Sequence, residues 1–192
     1  MAAIVHQKIN DTEIYRKVNT DLPVKIAELA KKQGVKQFVF LSTMSVYGKN
    51  KQIKNYEINE NEKLNPYTFY GKSKLEAEIK LQELQDNNFV VSIVRPPSVY
   101  GKNCKGNLLN VYIKLAKILF LIPNCFPNVK QGFLHIDNLC YCIEQIILNN
   151  KGGLFMPQDE ELLSTGEIIY IIRKELGKKA ICSLFLGKIF LC

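Results

Sequence analysis

The 192-residue chain has no tryptophan, only three arginines among its 26 cationic side chains, and no apolar run near the ~20 residues that span a bilayer. No membrane segment is therefore expected. The scarcity of arginine matters because the formal charge is +8, a balance that can point to nucleic acid, acidic lipid or a phosphorylated ligand. Arg16, Arg95 and Arg173 stand far apart, and the lysines are scattered singly or in pairs such as Lys31-Lys32 and Lys178-Lys179. A nucleic-acid surface favours clustered arginine with stacking aromatics, so the charge reads as solvated surface and no nucleic-acid partner is expected.

A signal peptide is also missing, and the six cysteines (Cys104, Cys125, Cys140, Cys142, Cys182 and Cys192) lack the spacing of a disulfide scaffold. A reducing, cytoplasmic setting follows as the expectation. Cys140-x-Cys142 has no second Cys or His pair, so no metal site is expected and the thiols read as buried. Eleven Gly and 7 Pro are ordinary counts, which suits one globular domain or a domain with a small lobe.

Apolar positions recur at helical spacing over residues 14–30, with Pro23 as a point of interruption and Gly34 as a left-handed cap. Residues 35–41 (VKQFVFL) and 89–94 (FVVSIV) read as strands covered on both faces, and residues 67–84 between them as a helix. Strands alternating with helices predict parallel βαβ crossovers and a doubly wound α/β sheet. Beyond Gly101 the pattern loosens: helices near 107–120 and 136–148, a loop at 123–131, and a short strand at Phe133-Leu134. Ser164-x-x-Glu167 is a capping box for a last helix ending near Gly177. Residues 2–5 (AAIV) resemble the close of a buried strand, and residues 181–192 an uncovered apolar tail.

Tyr70 and Lys74 lie four apart on one helical face, where the ammonium would favour the phenolate and lower a pKa of about 10. The spacing alone is weak, because Tyr47/Lys51 and Tyr170/Lys174 share it. Only Tyr70 opens a helix that follows a strand ending in hydroxyls, Ser42-Thr43-Met44-Ser45. Strand C-terminal ends are where open α/β sheets hold their ligands, so Thr43 and Tyr70 are expected to share a site.

FVFLSTMSVYG (38–48), YGKSK (70–74), RPPSVYG (95–101) and FLHIDNL (133–139), in that order, resemble the extended short-chain dehydrogenase/reductase family, in its NAD-dependent sugar epimerase/dehydratase branch. The resemblance implies a partial Rossmann-like α/β fold. Residues 1–100 would be the C-terminal half of an NAD-binding domain, and residues 101–192 a truncated mixed region, a substrate-binding lobe with segments returning to that domain. It implies Tyr70 as catalytic acid/base, Lys74 as the holder of the nicotinamide ribose, and Thr43 as the hydroxyl that meets the reacting sugar oxygen. Pro97 would lie beside the nicotinamide, Ser98 would face the sugar, and Asn107 and Leu108 would meet the substrate diphosphate. Asn19 would support the site, and His135 reads as structural. The implied reaction is 4-epimerisation of a nucleotide sugar such as UDP-glucose through transient hydride transfer to NAD, in a homodimer built on the Tyr70 helix and its predecessor. A non-catalytic remnant of the same fold, or a reductase or dehydratase, is the alternative.

Two departures shape these expectations. None of the 11 glycines forms the G-x-G-x-x-G turn that cradles a dinucleotide pyrophosphate, so weak NAD binding is expected. Gln131 stands where the family often has a diphosphate-pairing Arg, with Lys130 beside it.

Overall fold

The computed structural model describes residues 3–5, 12–48, 58–102, 107–123 and 127–183, with the side chains of 107, 123, 182 and 183 excepted. In chain order the elements are α1 (Thr12–Arg16), a π segment (Lys17–Asp21), α2 (Leu22–Lys32), β1 (Gln37–Leu41), a 3-10 turn (Met44–Tyr47), α3 (Phe69–Glu83), β2 (Val90–Val94), β3 (Ser98–Tyr100), α4 (Asn107–Ile118) and β4 (Leu121–Pro123). They continue with β5 (Lys130–Gln131), β6 (Phe133–His135), α5 (Ile136–Leu148), β7 (Gly153–Phe155), β8 (Leu163–Ser164), α6 (Thr165–Glu175) and β9 (Ile181–Ser183). They fall into two compact units.

The first unit draws on residues 1–51, 58–97 and 139–157. Its sheet has the order β1-β2-β7, with both pairings parallel, as the alternating pattern predicts. Phe40, Phe89, Val91 and Ile93 of the sheet side meet Ala27 of α2 and Ala77 and Leu81 of α3 in one core cluster. A fully buried Leu, Ile or Phe side chain contributes about 1.5–3 kcal/mol by leaving water, so these few positions fix the helices on the sheet. The expected double cover holds for β2, of which four residues are buried, but not for β1. Only Phe40 of β1 is buried, its other residues are half-buried, and Val35 just before it is exposed.

The helical stretch predicted over 14–30 is irregular ahead of Pro23 rather than at it. Proline has no N–H to return to the preceding turn and its ring crowds that turn. The backbone widens into the π segment, where Leu22 N–H reaches Lys17 O five residues back. At the other end Gly34 adopts φ +77°, and Val35 and Gly34 donate to Ala30 O and Lys31 O at 3.0 Å, the expected left-handed cap. The residues 3–5 that read as a buried strand end are mostly exposed and form no strand; Asn19 holds them instead, as described below. β7 goes unpredicted: it is three residues long and opens on Gly153, which takes φ +103° while paired with Ser92.

The second unit comprises the described residues of 98–138 and 158–192. β3 pairs with β6 and β4 with β9 in parallel, and β5 with β8 antiparallel. Tyr112 and Ala116 of α4, Ile122, Phe133, and Ile168 and Ile169 of α6 form its core. Arg173 is buried there, donating to Ala116 O and Lys179 O at 2.6 Å each, so this cation is a structural donor and not solvated surface. The Ser164/Glu167 capping box is present as predicted. Residues 184–192 of the apolar tail, and Cys104, Cys125 and Cys192, lie outside the described residues. Cys140 and Cys142 are free, and Cys140 is exposed where burial was expected, because it falls on the solvent side of α5. No described helix is long and apolar enough to cross a membrane.

Candidate active site

Thr43 stands two residues beyond β1 and caps the 3-10 turn, its hydroxyl accepting the Ser45 N–H at 3.1 Å. Thr68 caps α3 in the same way, accepting the Gly71 N–H at 3.0 Å, so Tyr70 lies in the first helical turn. A Cβ on Gly71 would sit 2.8 Å from Ser45 O and 3.0 Å from Pro66 Cβ, so only glycine lets the helix start against the 3-10 turn this closely. That seating sets the first turn of α3, which carries Tyr70, against the turn that Thr43 caps. Burial pushes the Tyr70 phenol up from its ordinary value, and the Thr43 hydroxyl, which also donates to Ser45 Oγ at 3.1 Å, pulls it partway back.

Lys74, one turn on, is 6% exposed, donates to Leu41 O at 2.8 Å and lies 4.4 Å from the centroid of the Phe40 ring. Burial lowers it to about 8, against the pull of Glu78. The predicted lowering of the phenol by this ammonium is therefore not what the structure has. The charge is committed to the Leu41 carbonyl, and the influences on Tyr70 are burial and Thr43. Among the similar pairs, Tyr170/Lys174 shows only an ammonium 5.6 Å from the ring centroid, and Lys51 lies outside the described residues.

The sequence reading missed the group beneath the site. Glu78, on the same α3 face, is bonded by the Arg95 guanidinium, whose Nη2 lies 2.6 Å from Oε2 and whose Nε lies 3.1 and 3.2 Å from the two oxygens. Ser42 also donates to Glu78, and Arg95 Nη1 donates to the Tyr47 hydroxyl at 2.6 Å. The i, i+4, i+8 run Tyr70-Lys74-Glu78 was the available signal.

Asn19, expected to support the site, is buried in the π segment. Its amide accepts the Ile4 N–H and donates to Ile4 O, both at 2.9 Å, and donates to Ser73 Oγ at 3.2 Å. Thr20 donates to Ser73 O at 2.8 Å, and Ser73 in turn to Tyr70 O at 2.9 Å. Pro96 O accepts the Met44 N–H at 3.1 Å, which ties the segment carrying Pro97 to the turn carrying Thr43.

Ser98, Asn107 and Leu108 belong to the second unit. Ser98 is exposed at the start of β3, Asn107 is the first residue of α4, and Leu108 is exposed. Gln131 donates to Thr165 Oγ1 at 2.9 Å and accepts from the Tyr112 hydroxyl at 3.1 Å, while Lys130 pairs with Glu167 at 2.8 Å. The cation beside Gln131 is thus already matched by a carboxylate. Asp159 accepts from Tyr100 OH at 2.9 Å, His135 N–H at 3.0 Å and Asn138 Nδ2 at 2.7 Å, and His135 packs on the Tyr100 ring, which agrees with a structural histidine. Among the described residues no three His, Cys, Asp or Glu side chains gather as metal ligands.

The Lys74 and Tyr70 donor set fits the ribose end of a nicotinamide dinucleotide, since Leu41 takes one of three ammonium N–H bonds. A glycine-rich pyrophosphate turn is not found in the sequence.

A sequence model of the NAD dependent epimerase/dehydratase family matches residues 2–119. The UDP-glucose 4-epimerase of Vibrio cholerae is 31% identical over 169 residues, covering 86% of this chain and 51% of that protein. The N-acetyl-alpha-D-glucosaminyl-diphospho-ditrans,octacis-undecaprenol 4-epimerase of Escherichia coli O157:H7 is 27% identical over 184 residues, covering 93% and 54%. The chain spans about half the length of these curated relatives. UDP-glucuronic acid 4-epimerase from Bacillus cereus, solved in complex with NAD, superposes with a TM-score of 0.76 at 22% identity, covering 95% of this chain and 61% of that one. At that identity the likeness establishes the Rossmann-like α/β fold.

Proposed function

Because the chain belongs to the NAD dependent epimerase/dehydratase family, we propose that Thr43, Tyr70 and Lys74 carry the acid/base half of a nucleotide-sugar 4-epimerisation, with a UDP-hexose as substrate. The observation that carries this reading is the seating of Tyr70, in the first turn of α3, against the 3-10 turn that Thr43 caps, with a buried ammonium one helical turn behind.

Tyr70 takes the proton of the sugar hydroxyl and returns it, and Thr43 holds the same oxygen in line. Lys74 and Tyr70 would hold the nicotinamide ribose, and Pro97 would serve the nicotinamide end. The chemistry NAD supplies when bound is reversible acceptance of hydride. Residues 1–100 serve the cofactor and residues 101–192 the substrate, with Ser98, Asn107 and Leu108 assigned to the sugar nucleotide by the resemblance. Exposed Leu22, Ile26 and Leu29 on α2 and Ile79 on α3 support a homodimer through these helices. The free thiol of Cys140, exposed to solvent, supports a reducing, cytoplasmic setting.

The test is chromatographic analysis of UDP-glucose incubated with the purified chain and NAD. UDP-galactose forms with wild type and falls roughly 10²–10⁴-fold with Tyr70→Phe, the range for a lost general acid/base. Equal rates for the two proteins would refute the assignment. No turnover by the wild type would favour a non-catalytic binding module.

A further inference from the structure

Glu78 is 1% exposed, and the proposed chemistry gives it nothing to do. It lies one helical turn beyond Lys74 and two beyond Tyr70 on α3, and Arg95 bonds both of its oxygens. Arg95 is itself held, with Nη1 on the Tyr47 hydroxyl and its guanidinium 5.0 Å from the Tyr47 ring centroid, and Tyr47 donates onward to Met156 Sδ at 3.2 Å. Burying two charges carries a desolvation cost that an apolar pair of the same volume would avoid, so stability alone does not account for this arrangement.

The third partner of Glu78 is the Ser42 hydroxyl. Ser42 sits between Leu41, whose carbonyl takes the Lys74 ammonium, and Thr43, whose hydroxyl meets the Tyr70 phenol. Its own N–H is bonded to Val94 O at 2.7 Å, and the Met44 N–H to Pro96 O at 3.1 Å. A carboxylate that fixes Ser42 therefore fixes the acceptor of one site residue and the partner of the other.

We propose that Glu78 is the positioning residue of this site: locked by Arg95, its carboxylate pins Ser42, and with it the Leu41 carbonyl that takes the Lys74 ammonium and the turn that Thr43 caps. The inference takes its site from the functional reading above. Among the described residues the charged group that acts on Lys74 is Glu78, one turn on along its own helix; Arg95, from the end of β2, and Tyr47, from the 3-10 turn, are reached through it. Of these, Glu78 attracts the ammonium and opposes the burial that lowers Lys74 to about 8.

The test follows the Lys74 titration by NMR of ε-¹³C-lysine protein, with the signal assigned through Lys74→Arg. Glu78→Gln lowers the Lys74 midpoint by about one pH unit, a tenfold fall in the charged-to-neutral ratio at fixed pH. Glu78→Asp, which keeps the charge, restores most of it. Amide exchange at Ser42 and Met44 speeds up in Glu78→Gln and returns toward wild type in Glu78→Asp. If Glu78→Gln does not fold, Glu78→Gln/Arg95→Gln, which leaves no buried cation unpaired, takes its place with the same expectation. Unchanged amide exchange at Ser42 and Met44 in the folded variant overturns the proposal. None of this needs turnover: an inactive wild-type chain whose Ser42 and Met44 exchange speeds up in Glu78→Gln refutes the functional reading and leaves this one. An active chain with unchanged exchange at these amides does the reverse.

Discussion

The Lys74 ammonium donates to the Leu41 carbonyl at 2.8 Å, joining the first half of α3 to the last residue of β1 through a charged bond in a buried place. A cation held at this depth carries a burial penalty in every folded molecule.

That penalty is visible as a function of pH. Lys74 titrates at about 8 in the fold and near 10.4 in the unfolded chain, so below pH 8 both states hold the proton and the penalty is complete. Between the two values the unfolded state binds more protons, and stability attributable to this group rises by up to about 1.4 kcal/mol per pH unit. Urea unfolding of wild type and Lys74→Met from pH 7 to pH 10 should show wild type gaining on the variant above pH 8. Curves that stay parallel would contradict the shift.

Removing one member of the Arg95–Glu78 pair leaves the other charge buried and unmatched. Arg95→Met should cost about 3–5 kcal/mol by denaturant unfolding. Arg95→Met/Glu78→Met should cost less than Arg95→Met alone, and a double variant that loses as much as the two singles added would show that the charges are not coupled.

Gly71→Ala gives a prediction whose sign is informative. In an open helix alanine is favoured over glycine by up to about 1 kcal/mol. Here the new Cβ meets Ser45 O at 2.8 Å, so a net loss of about 1–3 kcal/mol is expected in thermal or urea unfolding, with activity falling as Tyr70 moves off Thr43. Stabilisation would mean that the helix does not start against the turn.

Glu167 is held down to about 2 by Lys130 first and by the Ser164 N–H and hydroxyl next. A depressed carboxylate contributes stability above its unfolded pKa near 4.3 that is lost as pH falls toward 2. The side chain is 40% exposed, so screening keeps the effect below about 1 kcal/mol. Glu167→Gln should be slightly less stable than wild type at pH 7 and equal to it near pH 2.

The positions that repeat at a regular period were readable from sequence: the helices around Ala27 and Leu81, the strand Val90–Val94, the Ser164 capping box and the left-handed Gly34. Tyr70 and Thr43 could be brought together because both sit where a strand end faces a helix start. The short strands Ser98–Tyr100, Leu121–Pro123 and Gly153–Phe155 could not, since three residues are too few to show an alternation and their pairing partners lie far along the chain. Burial of charge was also hidden. Lys74, Glu78 and Arg95 look like any other ions in a list of residues, and only the close approach of α3 to the ends of β1 and β2 takes them out of water. The same fact undid the expected effect of Lys74 on the phenol, because a carbonyl that sequence cannot locate took the charge.

The π segment has a bearing on insertions and deletions. With one residue more than a regular coil, Lys17–Asp21 sets the phase between what precedes it and α2. Trimming a single amino acid there would let the coil close up and turn Tyr15 by roughly 100° about its axis. The clasp of Asn19 on Ile4 and Ser73 would be pulled out of line with it, so in this stretch a loss of length does more harm than most changes of identity.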